Sequence, residues 1–172
     1  MQYLSHVEEV VDNDDAVGSG KFILINDVNE VKVGLGVNSL QTINGTTLTE
    51  DMKYIDIVEA KDLIYDDIFT AFKVYQGAYK NKYDNQILFI SGVNGYLKNI
   101  SDEDVLDEEY SNQAGINVAA QRAAWVKSGK SEAATWTDAQ VRNMAFKRSV
   151  YLNGDIKILG AMENLQLIFN MA

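Results

Sequence analysis

The sequence predicts an α+β domain with a mainly antiparallel sheet and helices packed on one face. Three observations predict it. A polar turn joins two apolar segments near residue 28. Two long segments of helical periodicity fill the middle of the chain. Alternating apolar and polar residues close it, through Val150-Tyr151-Leu152-Asn153-Gly154-Asp155-Ile156-Lys157-Ile158 and again from Glu163 to Ala172.

The elements follow in order. In residues 1–20, Leu4, Val7, Val10 and Val11 suit one or two helical turns. Asp12-Asn13-Asp14-Asp15 and Gly18-Ser19-Gly20 then read as a linker, or the remnant of a preceding domain. The domain proper is expected over 21–172. Lys21-Phe22-Ile23-Leu24-Ile25 and Val31-Lys32-Val33-Gly34-Leu35 flank Asp27-Val28-Asn29-Glu30 as a hairpin. Tyr54-Ile55-Asp56-Ile57-Val58 alternates and predicts a third short strand. A long helix is expected from about Glu59 to Gly77, with Leu63, Ile64, Ile68, Ala71, Phe72 and Tyr75 on its apolar stripe.

A second helix is expected from about Asn85 to Asn99. Gly92 and Gly95 weaken it by roughly 1 kcal/mol each, which close packing against another backbone would explain. Ser101-Asp102-Glu103-Asp104 opens an acidic connection. Ile116-Asn117-Val118 suits a short strand and Ala119 to Ser128 a short helix, with Ala120, Ala123, Ala124 and Trp125 inward and Gly129 ending it. Thr137 is a good N-cap for a helix over Asp138 to Met144.

Composition narrows the function. Apolar residues make up 47% and charged residues 23%, the balance of a folded domain and not of a disordered chain. The net charge of −10 argues against nucleic acid or an anionic membrane as the main partner. No apolar run is long enough to span a bilayer, and MQYLSHVEEVV lacks the basic start of a signal peptide, so the chain reads as soluble and not exported by the Sec route. The absence of cysteine excludes disulfides, zinc–thiolate sites and thiol catalysis.

No catalytic constellation emerges. Gly18-Ser19-Gly20-Lys21 fails as a phosphate loop, because Asp15 and Phe22 occupy the positions that need Gly and Ser or Thr. Asp12, Asp14 and Asp15 fail as a calcium loop, because Val17 and Ile23 replace its Gly and Glu. His6 is the sole histidine and cannot build a two-histidine metal site. Asp62 and Asp66 complement a helix dipole. The acidic run 101–109 is a solvated connection or a face for a basic partner. No cofactor is expected and no enzyme activity.

Five blocks nevertheless carry a resemblance by their order and spacing. They are Lys32-Val33-Gly34-Leu35-Gly36-Val37-Asn38-Ser39-Leu40, Ile57-Val58-Glu59-Ala60-Lys61-Asp62-Leu63-Ile64, Gln86-Ile87-Leu88-Phe89-Ile90-Ser91-Gly92-Val93-Asn94-Gly95-Tyr96-Leu97, Ile116-Asn117-Val118-Ala119-Ala120-Gln121-Arg122-Ala123 and Gly154-Asp155-Ile156-Lys157-Ile158-Leu159-Gly160-Ala161-Met162-Glu163-Asn164-Leu165. Over most of 21–172 the chain resembles the C-terminal part of contractile phage tail sheath proteins. The resemblance is to those of Gram-positive prophages and phage-like bacteriocins.

The family chain is longer, with an N-terminal arm and a surface-facing domain before this region, which implies a C-terminal piece here. The resemblance implies homo-oligomeric rings of sheath subunits around a tail tube, a baseplate as trigger, and a place in the virion tail after assembly in the host cytoplasm. It also implies terminal arms that add strands to neighbouring subunits. The candidate arm is 163–172, with Leu165, Leu167, Phe169 and Met171 on one face. The candidate acceptor is the hairpin, with Phe22, Leu24, Val31 and Val33. The segment 163–172 either pairs within its own chain or is donated. A small acidic binding module or inhibitor, using 101–109 with Asp62 and Asp66, is the alternative, and a carboxylate-based metal hydrolase a third reading.

Overall fold

The computed structural model describes residues 4–45, 48–163 and 165–169. They form two compact units, one from residues up to Leu63 together with those from Gly160, the other Ile64–Leu159. The class is α+β, with its strands in two separate two-stranded antiparallel sheets.

In the first unit a short helix α1, Asn13–Gly18, starts at Asp12, whose carboxylate accepts from the Asp15 N–H at 2.9 Å. The helical turn thus lies after Val10 and Val11, not over them. Val11 has nothing to bury against and is fully exposed. Strands β1, Leu24–Asp27, and β2, Glu30–Val33, make the expected hairpin, paired Leu24 with Val33 through Asp27 with Glu30. Val28 opens its two-residue loop at φ 52°, a left-handed conformation uncommon for a β-branched residue. Lys32 pairs across the hairpin with Asp27.

The expected strand at Tyr54–Val58 is absent. Tyr54 keeps an isolated bridge to Val37, and helix α2, Ile55–Tyr75, begins at once. A five-residue apolar alternation is compatible with either element. Here Ile57 falls seven residues before Ile64, on the helical stripe that continues through Ile68 and Phe72.

In the second unit α2 packs against helix α3, Tyr83–Asp102. Its buried residues Phe89, Val93, Leu97 and Ile100 recur at helical spacing and form the core with Ile64 and Leu106. Phe72 and Tyr75 of α2 meet Phe89 edge-on at 5.3 and 5.0 Å. Gly92 and Gly95 do not pack against a backbone: a Cβ at either would meet nothing within 4 Å, because both lie on the exposed face of α3.

Strand β3, Gln113–Ile116, precedes helix α4, Val118–Lys127, and pairs with β4, Leu152–Asp155. Asn117 caps α4, accepting from the Ala120 N–H at 2.9 Å, and Gly129 follows it at φ 95°. The inward residue of α4 is Gln121, fully buried, while Ala123 is exposed. The Gln121 amide donates to the carbonyls of Val141 and Met144 at 2.7 and 3.2 Å. Those carbonyls lie at the end of helix α5, Asp138–Asn143, where the Met144 N–H also reaches Val141 at 3.1 Å.

At its other end α5 has a full capping box. The Gln140 N–H donates to the Thr137 hydroxyl at 3.2 Å, and the Thr137 N–H donates to Gln140 Oε1 at 2.8 Å. Thr137→Ala is therefore expected to cost about 0.5–2 kcal/mol, read as a lower urea midpoint with unchanged slope. Lys130 seals this corner from above, 5.3 and 5.2 Å from the rings of Trp125 and Trp136.

Candidate functional site

The candidate arm, 163–172, is reached through Gly160 and Ala161. Gly160 sits against Ile57, where a Cβ would lie 3.8 Å from the Ile57 Cδ1, and the Ala161 N–H reaches the Asp56 carboxylate at 3.4 Å. Beyond that point none of the described residues 162, 163 and 165–169 is in a strand or bridge. Leu165 is 85% exposed, Leu167 63%, Ile168 85% and Phe169 81%. Leaving four large apolar side chains in water forfeits roughly 1.5–3 kcal/mol of transfer free energy at each. Met171 lies outside the described residues.

The hairpin residues are placed unevenly. Phe22 is exposed and precedes β1, Leu24 and Val33 are half-buried at the open end of the hairpin, and Val31 is buried in the unit. On β1, Asn26 is occupied from within. The Asn26 N–H donates to Glu9 Oε1, and the Asn26 side chain holds the Val7 backbone by both its N–H, at 2.9 Å, and its carbonyl, at 2.8 Å. The Asn26 N–H, then the Asn13 and Asn26 side chains, hold the Glu9 carboxyl below its usual range.

The second sheet is built differently. β4 runs from Leu152 to Asp155 instead of the whole of 150–158. Past it, the chain crosses to the segment after α3: the Asp107 N–H donates to the Lys157 carbonyl at 2.9 Å, and Leu159 N–H to Val105 at 3.0 Å. The Lys157 ammonium, 2.6 Å from Asp107, is the main reason the Asp107 carboxyl stays below its ordinary range. The acidic run is therefore partly structural. Ser101 is buried at the end of α3, and Asp107 is ion-paired, leaving Asp102, Glu103, Asp104, Glu108 and Glu109 exposed.

Two residues outside the expected set shape this sheet. Asn94 of α3 accepts from the Ala114 N–H at 2.7 Å and donates to the Ala114 carbonyl at 3.2 Å. Gly154 must be glycine, since a Cβ there would lie 2.7 Å from the Gln113 carbonyl oxygen. A glycine inside an alternating strand is the signal that points to such an approach. Asn94 has no comparable signal, because its partner lies twenty residues away on another element.

Among the described residues no group of three or more His, Asp or Glu side chains could hold a metal ion. Asp62 and Asp66 are exposed on α2. A cavity of about 150 Å³ is walled by Phe72, Tyr75, Tyr79 and Phe89, and its lining contains no carboxylate, histidine or hydroxyl of Ser or Thr. No described helix is long and apolar enough to cross a membrane.

The family description "Phage tail sheath C-terminal domain" matches residues 47–172. The chain belongs to that family. It is 24% identical over 174 residues to the tail sheath protein of Clostridium phage phiCD119, a match that covers 98% of this chain and 48% of the phage protein. The chain thus spans about half the length of that relative. The role of the sheath family is structural, in the phage tail, and its members are not known as enzymes. The matched region takes in α2 to α5, β3, β4 and the exposed terminal segment, and the hairpin β1–β2 precedes it.

Proposed function

We propose that this chain is the C-terminal part of a contractile tail sheath subunit, in a phage or a phage-like bacteriocin. Its copies assemble in the host cytoplasm as rings around the tail tube. They are linked by strands passed between subunits, and they slide into a shorter, wider sheath when the baseplate triggers. The observation that carries this is the family match together with an apolar segment, Leu165 to Phe169, that its own chain leaves in water. Water-exposed apolar surface of that kind marks an interaction site. A link made of main-chain hydrogen bonds tolerates rigid-body reorientation of the domains it joins.

Immunogold labelling tests the reading. An antibody raised against this chain should decorate the tail shaft of particles from cells that encode it, and the labelled length should shorten on contraction. Label confined to unassembled protein, or to the baseplate alone, would overturn it.

A further inference from the structure

The cavity walled by Phe72, Tyr75, Tyr79 and Phe89 lies at the start of α3, and Gln86, 3% exposed, is part of its lining. A neighbour fixes the direction of the Gln86 amide. Asn81 Nδ2 donates to the carbonyls of Phe146, Lys147 and Ser149 at 3.3, 3.3 and 3.0 Å. Asn81 Oδ1 therefore faces Gln86 and accepts from its Nε2 at 2.7 Å. That leaves Gln86 Oε1 as a buried acceptor with no donor among the described residues. A buried acceptor without a donor is costly, so a group that supplies one is favoured there. The rest of the lining narrows that group. About 150 Å³ between aromatic walls suits a single six-membered ring. Lys80 and Arg148 line the same cavity, are exposed, and pair with no carboxylate among the described residues. The matching group is an aromatic ring with a hydroxyl at its inner end and negative charge beside its outer end.

The chain bears that combination itself, at the other end of α3. Tyr110 is 44% exposed, and its hydroxyl has no partner among the described residues. Glu108 and Glu109 before it are exposed and in no ion pair among those residues. The other exposed tyrosines beside carboxylates are already engaged: Tyr65 stacks on Phe69 at 6.0 Å, and Asp84 beside Tyr83 holds Lys82 at 2.8 Å. Tyr110 shares a shallow depression with Lys98, Ser101 and Asp102, in the last turns of α3. From Gln86 to Asp102 the helix rises about 24 Å, at about 1.5 Å per residue, so Tyr110 cannot fill the cavity of its own chain. Complementary patches at opposite ends of one rigid element join copies head to tail, and such contacts repeat into rings or open filaments.

We propose that the cavity receives Tyr110 of a second copy, its hydroxyl donating to Gln86 Oε1 while Glu108 and Glu109 of that copy meet Lys80 and Arg148. The contact needs copies to meet in a sheath, as proposed above, and makes no use of residues 163–172. It gives the acidic run a basic surface to face, on the same kind of chain.

The whole chain, labelled with nitrogen-15, tests this at the Gln86 side-chain amide. Raising the chain concentration should move that signal saturably, and so should para-hydroxyphenylacetate, a free phenol with a carboxylate. Tyr110→Phe, which deletes only the hydroxyl, should weaken self-association about threefold to tenfold. Lys80→Glu with Arg148→Glu should weaken it as well. Adding Glu108→Lys and Glu109→Lys to that pair should restore it, which a loss of fold would not allow. A signal that moves with the phenol but not with concentration would overturn the second copy as occupant. One that moves with concentration alone would overturn the phenol as the recognised group, and one that moves with neither would overturn the site. Self-association that persists unchanged in Tyr110→Phe and is lost on removing residues 163–172 would overturn this contact and leave strand linking standing.

Discussion

Deleting residues 163–172 is expected to abolish sheath assembly in the protein that carries this chain, with little loss of folded stability. The first half follows from the linking role proposed for the segment. Strand addition contributes main-chain hydrogen bonds and side-chain anchors at every junction between subunits. In a sheath those junctions repeat around each ring, so a subunit without the segment loses them all together. The second half follows from exposure. Leu165, Leu167, Ile168 and Phe169 remove little apolar area from water in the single chain, so their loss returns little. Surface changes away from caps, ion pairs and core cost about 0.5 kcal/mol or less, and the described residues of the segment, 163 and 165–169, are all exposed. Electron microscopy of particles from the deletion strain should show tubes and baseplates without sheaths. Thermal melting of the deleted chain should match the parent within about 2–4 °C. A chain that unfolds places the segment in its own core, and sheaths that persist remove its linking role.

The residues that announced themselves are those whose signals are local. Thr137 followed three positions on by Gln140 is a capping box in any context, and α5 begins there. Val93, Leu97 and Ile100 repeat at helical spacing, and α3 buries them. Its ends extend past the expected bounds because Lys82 and Ser101 carry no breaking signal. The Ile55–Val58 run was illegible for a physical reason: at that length the alternation of a strand and the stripe of a helix coincide. Gln121 was illegible for another. A glutamine among alanines reads as solvent-facing, and its burial rests on the carbonyls of Val141 and Met144, some twenty residues away, which take its amide. The candidate site divides in the same way. The apolar alternation of the terminal segment is visible in the sequence. The backbone groups of Asn26 and Ala114 are taken by Glu9 and Asn94 reaching across from other elements, and no local pattern encodes that.

Leu97→Ala is expected to remove about 2–5 kcal/mol of folded stability, the cost of a lost buried leucine plus the cavity it leaves. Leu97 is 2% exposed and shares the core with Ile64, Phe89, Val93, Ile100 and Leu106. Those residues come from α2, α3 and the connection after α3, so no single neighbour can close the void. For a domain whose total stability is about 5–15 kcal/mol, the loss is a large fraction and shows as a reduced urea midpoint. The variant also bears on the sheet of β3 and β4. Asn94 lies one helical turn before Leu97, and Ser101, which accepts from Asn112 at 3.3 Å, lies one turn after it. A looser α3 should therefore release the Ala114 amide to faster exchange before the chain unfolds as a whole. Leu167→Ala supplies the contrast: the same atoms deleted from a residue 63% exposed should leave the urea midpoint nearly unchanged while weakening subunit linkage. Equal midpoints for the two variants would contradict the assignment of Leu97 to the core and Leu167 to the interface.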